Sequence, residues 1–119
     1  MRMNKNQLNL ETTKGDTLSF GVEIYNLGQP LEAAFFTCRA NYDDGENIFQ
    51  KSLNNGITLS STDEFGNYIY VVRVAPEDTE NVAPGKYYYD MQIELNGDVF
   101  TILKGILTID FDVTRERVE

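Results

Sequence analysis

From residue 86 the chain alternates for ten positions. Tyr87, Tyr89, Met91, Ile93 and Leu95 fall on one side; Lys86, Tyr88, Asp90, Gln92 and Glu94 fall on the other. A side-chain period of two over this length predicts a strand buried on one face. Pro84-Gly85 opens the run as a turn pair. Asn96-Gly97 or Gly97-Asp98 closes it as a tight hairpin turn, because Asn and Gly accept positive φ. A second β-rich run covers 99–113, so the C-terminal third reads as one long hairpin on which the rest must pack.

The earlier chain repeats the pattern in shorter pieces. Leu8 and Leu10 alternate with polar residues and suggest a short first strand behind a frayed start over 1–7. Lys14-Gly15-Asp16 is a turn. In 17–25, Leu18, Phe20, Val22 and Ile24 share a face, against Thr17, Ser19, Gly21 and Glu23. Asn26-Leu27-Gly28-Gln29-Pro30 ends that strand. In 33–42, Ala34, Phe36, Cys38, Ala40 and Tyr42 oppose Phe35, Thr37, Arg39 and Asn41. Short strands follow at 48–51, expected at an edge, and at 57–59, separated by the turn Asn54-Asn55-Gly56. Residues 60–66 read as a polar loop. The run 67–74 is almost all β-formers; Tyr70, Val72 and Val74 share one face, Ile69, Val71 and Arg73 the other. Residues 75–83 form a connection whose Asp78-Thr79 can cap one helical turn. Gly105, inside the last run, marks a bulge or a bend, because the apolar positions change face around it. The tail 115–119 is charged and expected to be flexible.

Seven or eight strands about ten residues apart, with almost no helix, predict a single all-β sandwich domain over 1–119, mainly antiparallel. The stretch Pro84-Gly85-Lys86-Tyr87-Tyr88-Tyr89 narrows this to an immunoglobulin-like β-sandwich. Such domains carry a tyrosine near the start of the sixth strand, two residues before the position held by the second cysteine in antibodies. Tyr87 is expected in that corner, its hydroxyl turned back to the backbone near Asn81 or Val82. Tyr89 then stands where the cysteine would be. Pro84, Gly85, Tyr87 and Gly105 are thus architectural candidates.

Composition removes several kinds of chemistry. The single cysteine, Cys38, allows no internal disulfide and reads as a small buried hydrophobe. There is no His, hence neither the commonest general base nor the commonest zinc ligand. Net charge is −9, from 10 basic and 19 acidic residues. That argues against a nucleic-acid or anionic-membrane partner. No apolar run is long enough for a transmembrane helix, and no secretion signal is evident. Asp43, Asp44, Glu46, Asp63, Glu64, Asp110 and Asp112 supply carboxylates, but each lies in a turn or at a strand end, where acids are ordinarily solvated. Asp43-Asp44-Gly45-Glu46-Asn47 offers oxygen ligands for calcium without EF-hand spacing, and the ordinary reading is a hairpin turn. No catalytic residue, metal or cofactor is expected.

Three stretches carry a resemblance. They are Lys14-Gly15-Asp16-Thr17-Leu18-Ser19-Phe20; Pro76-Glu77-Asp78-Thr79 with Pro84-Gly85-Lys86-Tyr87-Tyr88-Tyr89-Asp90; and Thr101-Ile102-Leu103-Lys104-Gly105 with Asp112-Val113-Thr114. Through them the chain resembles short prophage proteins encoded among tail and baseplate genes of Gram-positive bacteria. It is also similar to the N-terminal module of siphophage baseplate upper proteins. The resemblance implies an immunoglobulin-like domain acting as a non-catalytic structural or docking part of a virion, made in the cytoplasm. Its partners would be other virion subunits or itself. Phe35, Ile69, Phe100 and Ile102 sit on second apolar strand faces and are the candidate interface. The alternative is a bacterial surface domain binding carbohydrate or matrix protein, with Tyr25, Tyr42, Tyr68 and Tyr88 available to stack on sugar rings.

Overall fold

The computed structural model describes residues 6–41 and 46–112. The expected turn at Asp43-Asp44-Gly45, together with Tyr42 and the tail 113–119, lies outside the described residues. The elements are β1 (Asn6–Gln7), β2 (Leu10–Thr13), β3 (Leu18–Ile24), β4 (Ala33–Arg39), β5 (Phe49–Leu53), β6 (Gly56–Thr62), β7 (Tyr68–Val74), a one-turn helix α1 (Pro76–Thr79), β8 (Gly85–Leu95) and β9 (Asp98–Asp110).

Hydrogen bonding runs along one path, β1-β9-β8-β4-β5-β6-β7-β3, with β2 continuing β1 along β9. The path folds back on itself into two layers. One holds β1/β2, β9, β8, β4 and β5; the other holds β6, β7 and β3. They join where Ser52 and Leu53 of β5 pair in parallel with Gly56 and Ile57 of β6. Asn54 at φ 65° and Gly56 at φ 101° make the turn between them. The layering is visible in Phe20 of β3 meeting Phe36 of β4 edge-on, centroids 5.6 Å apart, although the two strands are far apart along the path. The molecule is 20 Å thick in its short dimension, as two stacked sheets with their side chains require. β3 pairs with β7, β4 with β8, and the first strand runs parallel to the last. This is the immunoglobulin-like sandwich, eight strands if β1 and β2 count as one interrupted strand.

The core is the inward register of those strands. Ala34, Phe36, Ile57, Val72, Val74, Met91, Ile93 and Leu107 are fully buried. Cys38 is buried among them, and burial pushes its thiol up to about 12. Tyr70 is buried whole because its hydroxyl accepts the Leu31 N–H at 2.9 Å. The β8–β9 hairpin turns at Asn96 (φ 54°) and Gly97 (φ 83°), left-handed at both positions as a tight hairpin turn demands.

Several expectations change. Residues 60–62 belong to β6 and not to a loop. β5 is an edge over Phe49–Lys51, as expected, but it runs on to Leu53, and there Ser52 and Leu53 join β6. In α1, Asp78 accepts the Ala75 N–H at 2.7 Å, while Thr79 is buried and its hydroxyl accepts the Gly15 N–H at 2.9 Å. Thr79 therefore ties the β2–β3 turn to α1 and does not cap the helix.

Gly105 is not at a bulge. It pairs regularly with Tyr89, and the register shifts instead at Ile102, the extra residue between the Met91–Leu103 and Gln92–Thr101 pairs. The glycine serves a close approach. A Cβ at 105 would lie 2.2 Å from the Leu8 carbonyl oxygen, where β1 kinks into β2. The bulge also corrects two interface candidates. It turns Ile102 inward, so that Ile102 and Leu103 are both buried, and Phe100, opposite Ile93, packs on the core.

Candidate functional site

β4, β5, β8 and β9 turn their polar register outward, and it forms a groove of about 500 Å³. Register alignment puts its side chains in three rows across the sheet. Ser52, Phe35, Gln92 and Thr101 make the first; Gln50, Thr37, Asp90 and Lys104 the second; Arg39, Tyr88 and Ile106 the third. Cross-strand neighbours on one face of a sheet are close enough to bond. Gln50 donates to the Thr37 hydroxyl at 2.9 Å, and Gln92 points its amide at the Thr101 hydroxyl at 3.5 Å. Arg39 donates its Nε–H to Asn47 at 2.9 Å.

Among the described residues, Asp90 is the one carboxylate in the groove lining, beside two cations, Arg39 and Lys104. Partial burial raises its pKa, and the Arg39 charge pulls it partly back. Two cations to one acid is a local reversal on a chain whose net charge is −9.

Of the interface candidates, the structure places Phe35 in this groove. Ile69 lies half-buried on the outer face of the other layer, so the two are not brought together. Of the tyrosines considered for stacking, Tyr88 lines the groove, Tyr25 is exposed with its hydroxyl bonded to Glu23, and Tyr68 packs against the core.

Of the architectural candidates, Gly85 opens β8, and Tyr87 donates its hydroxyl to the Ala83 carbonyl, four residues upstream. The carboxylates noted in sequence scatter. Asp63 accepts the Phe65 and Asn67 N–H groups, at 2.8 and 3.0 Å, and these bonds, led by that from Asn67, lower its pKa. Asp110 shares a hydrogen bond with Glu11, which raises the Glu11 pKa. Among the described residues no cluster of three or more Asp, Glu, Cys or His is placed to hold a metal ion, and no helix is long and apolar enough to cross a membrane.

Sequence reading missed the groove residues Arg39, Gln50, Asp90, Gln92 and Lys104. Their signal was the polar register of strands whose other register is apolar, and it becomes a site only once the strand order is known.

No protein-family model matches the chain. No curated protein matches it. Among solved structures it is similar to a family 123 glycoside hydrolase from Clostridium perfringens, described for glycolipid glycan hydrolysis. The TM-score is 0.57 and the identity 15%, over 95% of this chain and 24% of that one. The chain thus spans about a quarter of that enzyme's length, and the likeness is one of fold. Matches of lower score are CopC from Methylosinus trichosporium OB3b (TM-score 0.40, 12% identity, 97% of this chain and 89% of that one) and the extracellular domain of a voltage-gated sodium channel beta4 subunit (0.44, 12%, 95% and 99%).

Proposed function

We propose that the domain is a non-catalytic docking module of a phage tail or baseplate, which holds a polar, weakly acidic segment of another virion subunit in the groove of the larger sheet. The observation that carries this reading is the groove itself: two cations and paired amides on an otherwise acidic domain. Its polar groups are held by cross-strand neighbours before any partner arrives, which reduces the ordering cost of binding. Hydrolysis of a glycosidic bond takes a pair of carboxylates, and among the described residues the groove lining supplies Asp90 alone. The virion setting comes from the sequence resemblance.

Co-expression with tail and baseplate subunits, followed by affinity capture and native mass spectrometry, tests this. A defined complex is expected, weakened at least tenfold by Arg39→Glu with Lys104→Glu. Capture unaffected by that pair removes the groove from the interface. Absence of the chain from purified virions removes the phage assignment.

A second reading has an observation of its own. Phe35 and Tyr88 present rings beside the Gln50 and Gln92 amides, a combination suited to a neutral oligosaccharide. Binding on a glycan array that Tyr88→Ala abolishes would favour it.

A further inference from the structure

We propose that β3 is a pairing edge, and that two copies of this chain join through it antiparallel, with the two-fold axis at Gly21. β3 ends the hydrogen-bonded path; among the described residues no strand lies on its outer side. A strand edge presents unpaired N–H and C=O groups at every second residue, and proteins ordinarily guard such edges with charge, proline, bulges or shortness.

The other edges are guarded in those ways. β1 and β2 have two and four residues, are broken at Leu8-Asn9, and carry the exposed Glu11. β6 carries a bulge at Ser60. β5 carries Lys51 beside its two bonded residues. β3 has seven residues, Leu18-Ser19-Phe20-Gly21-Val22-Glu23-Ile24, with no lysine, no proline and one charge. Its ladder with β7 runs without a register shift from Leu18–Val74 to Ile24–Tyr68.

The inward row of β3 points the same way. Leu18, Phe20 and Val22 pack on the core yet are only half-buried, because nothing continues the layer beyond them. A further strand would cover all three.

The sequence of β3 suits a second copy in one register. About a two-fold axis at Gly21, Ser19 faces the partner's Glu23, and Phe20 faces the partner's Val22. The lone acid of each edge thus meets a hydroxyl and not its own copy, and like charges directly opposite would destabilise the pair. The result is a continuous six-stranded sheet with an isologous interface. The net charge of −9 on each copy opposes approach, so salt should favour the dimer.

Sedimentation equilibrium of the intact chain, at roughly 1 to 200 µM and at about 0.05 and 0.5 M salt, tests the proposal. A dimer that tightens with salt is expected. Ser19→Glu sets two acids opposite each other at two symmetric places, and Ser19→Lys sets a cation opposite Glu23. The expected dissociation constants move in opposite directions, each by roughly tenfold. Ser19 is exposed but faces Arg73 of β7, so the unfolding midpoint of each variant is measured beside its dissociation constant. Gly21→Cys should cross-link the dimer under mild oxidation, and Ser19→Cys should do so far less. A monomer throughout, or a dimer indifferent to the charge at 19, overturns the proposal. So does a monomer that takes up a foreign extended peptide along β3.

Discussion

At one end of the hydrogen-bonded path, three contacts at Leu8 and Asn9 fasten the N-terminal strand to β9 and β8. At the other end, β3 has no strand on its outer side among the described residues. The fastened end centres on Leu8. Its N–H donates to the Lys104 carbonyl at 3.0 Å, and its carbonyl accepts the Tyr89 hydroxyl through the space that Gly105 leaves open. Asn9 then replaces a backbone acceptor in the ladder, taking the Ile106 N–H on its side chain at 3.2 Å. The contrast teaches that a kinked strand can be held more specifically than a straight one. The kink turns a repeating ladder into an interlock that only particular residues complete.

The largest effect should come from closing the gap at 105. Gly105→Ala puts a methyl where the Leu8 carbonyl lies, and the edge strand must move away. A loss of about 3 kcal/mol is expected in urea unfolding, with early hydrogen exchange at Leu8. A midpoint within experimental error of wild type would mean the edge strand shifts freely, and the contrast between the ends would collapse. Next is Tyr89→Phe, which leaves the Leu8 carbonyl without its hydroxyl partner and should cost about 1–2 kcal/mol. Tyr87→Phe removes the bond to Ala83 on the same strand but away from the interlock, and about 1 kcal/mol is expected. If Tyr87→Phe costs more than Tyr89→Phe, the corner and not the edge governs this end.

The smallest effect concerns Asp90 and depends on pH. Burial raises its pKa in the folded chain, so the folded state holds the proton more tightly than the unfolded state. The stability that this proton confers is present at low pH and is lost as pH rises through the raised value. Asp90→Asn should therefore be slightly more stable than wild type at pH 7. The two should converge as pH falls below the ordinary carboxylate range. A gap that widens on acidification would show that Arg39 outweighs burial at this carboxylate.

Most of the fold was legible because period-two alternation is a local property. Leu18 to Ile24, Tyr70 to Val74 and Tyr87 to Leu95 put their side chains on the faces their spacing predicts. The failures on β9 share one cause. Gly105 looked like a bulge because the apolar register changes near it, but the extra residue is Ile102, three positions earlier. From one strand's sequence, a glycine that makes room for a crossing backbone cannot be told from one that bends its own strand. Phe100 and Ile102 were misplaced by the same shift. The groove was less legible still. Arg39, Asp90 and Lys104 are 51 and 14 residues apart in sequence, and only the pairings β4–β8 and β8–β9 bring them together.

Cys38 gives the molecule a built-in stopwatch. It is the chain's one thiol, fully enclosed beside Phe36 and across from Tyr89, and at neutral pH almost none of it is thiolate. A thiol reagent can reach it only when β4 and β8 separate, so its labelling rate counts openings of the sandwich centre and is blind to fraying at either edge. Wild type, a Gly105 variant and a covalently linked pair could be timed with the same native atom, without introducing a dye or a tryptophan.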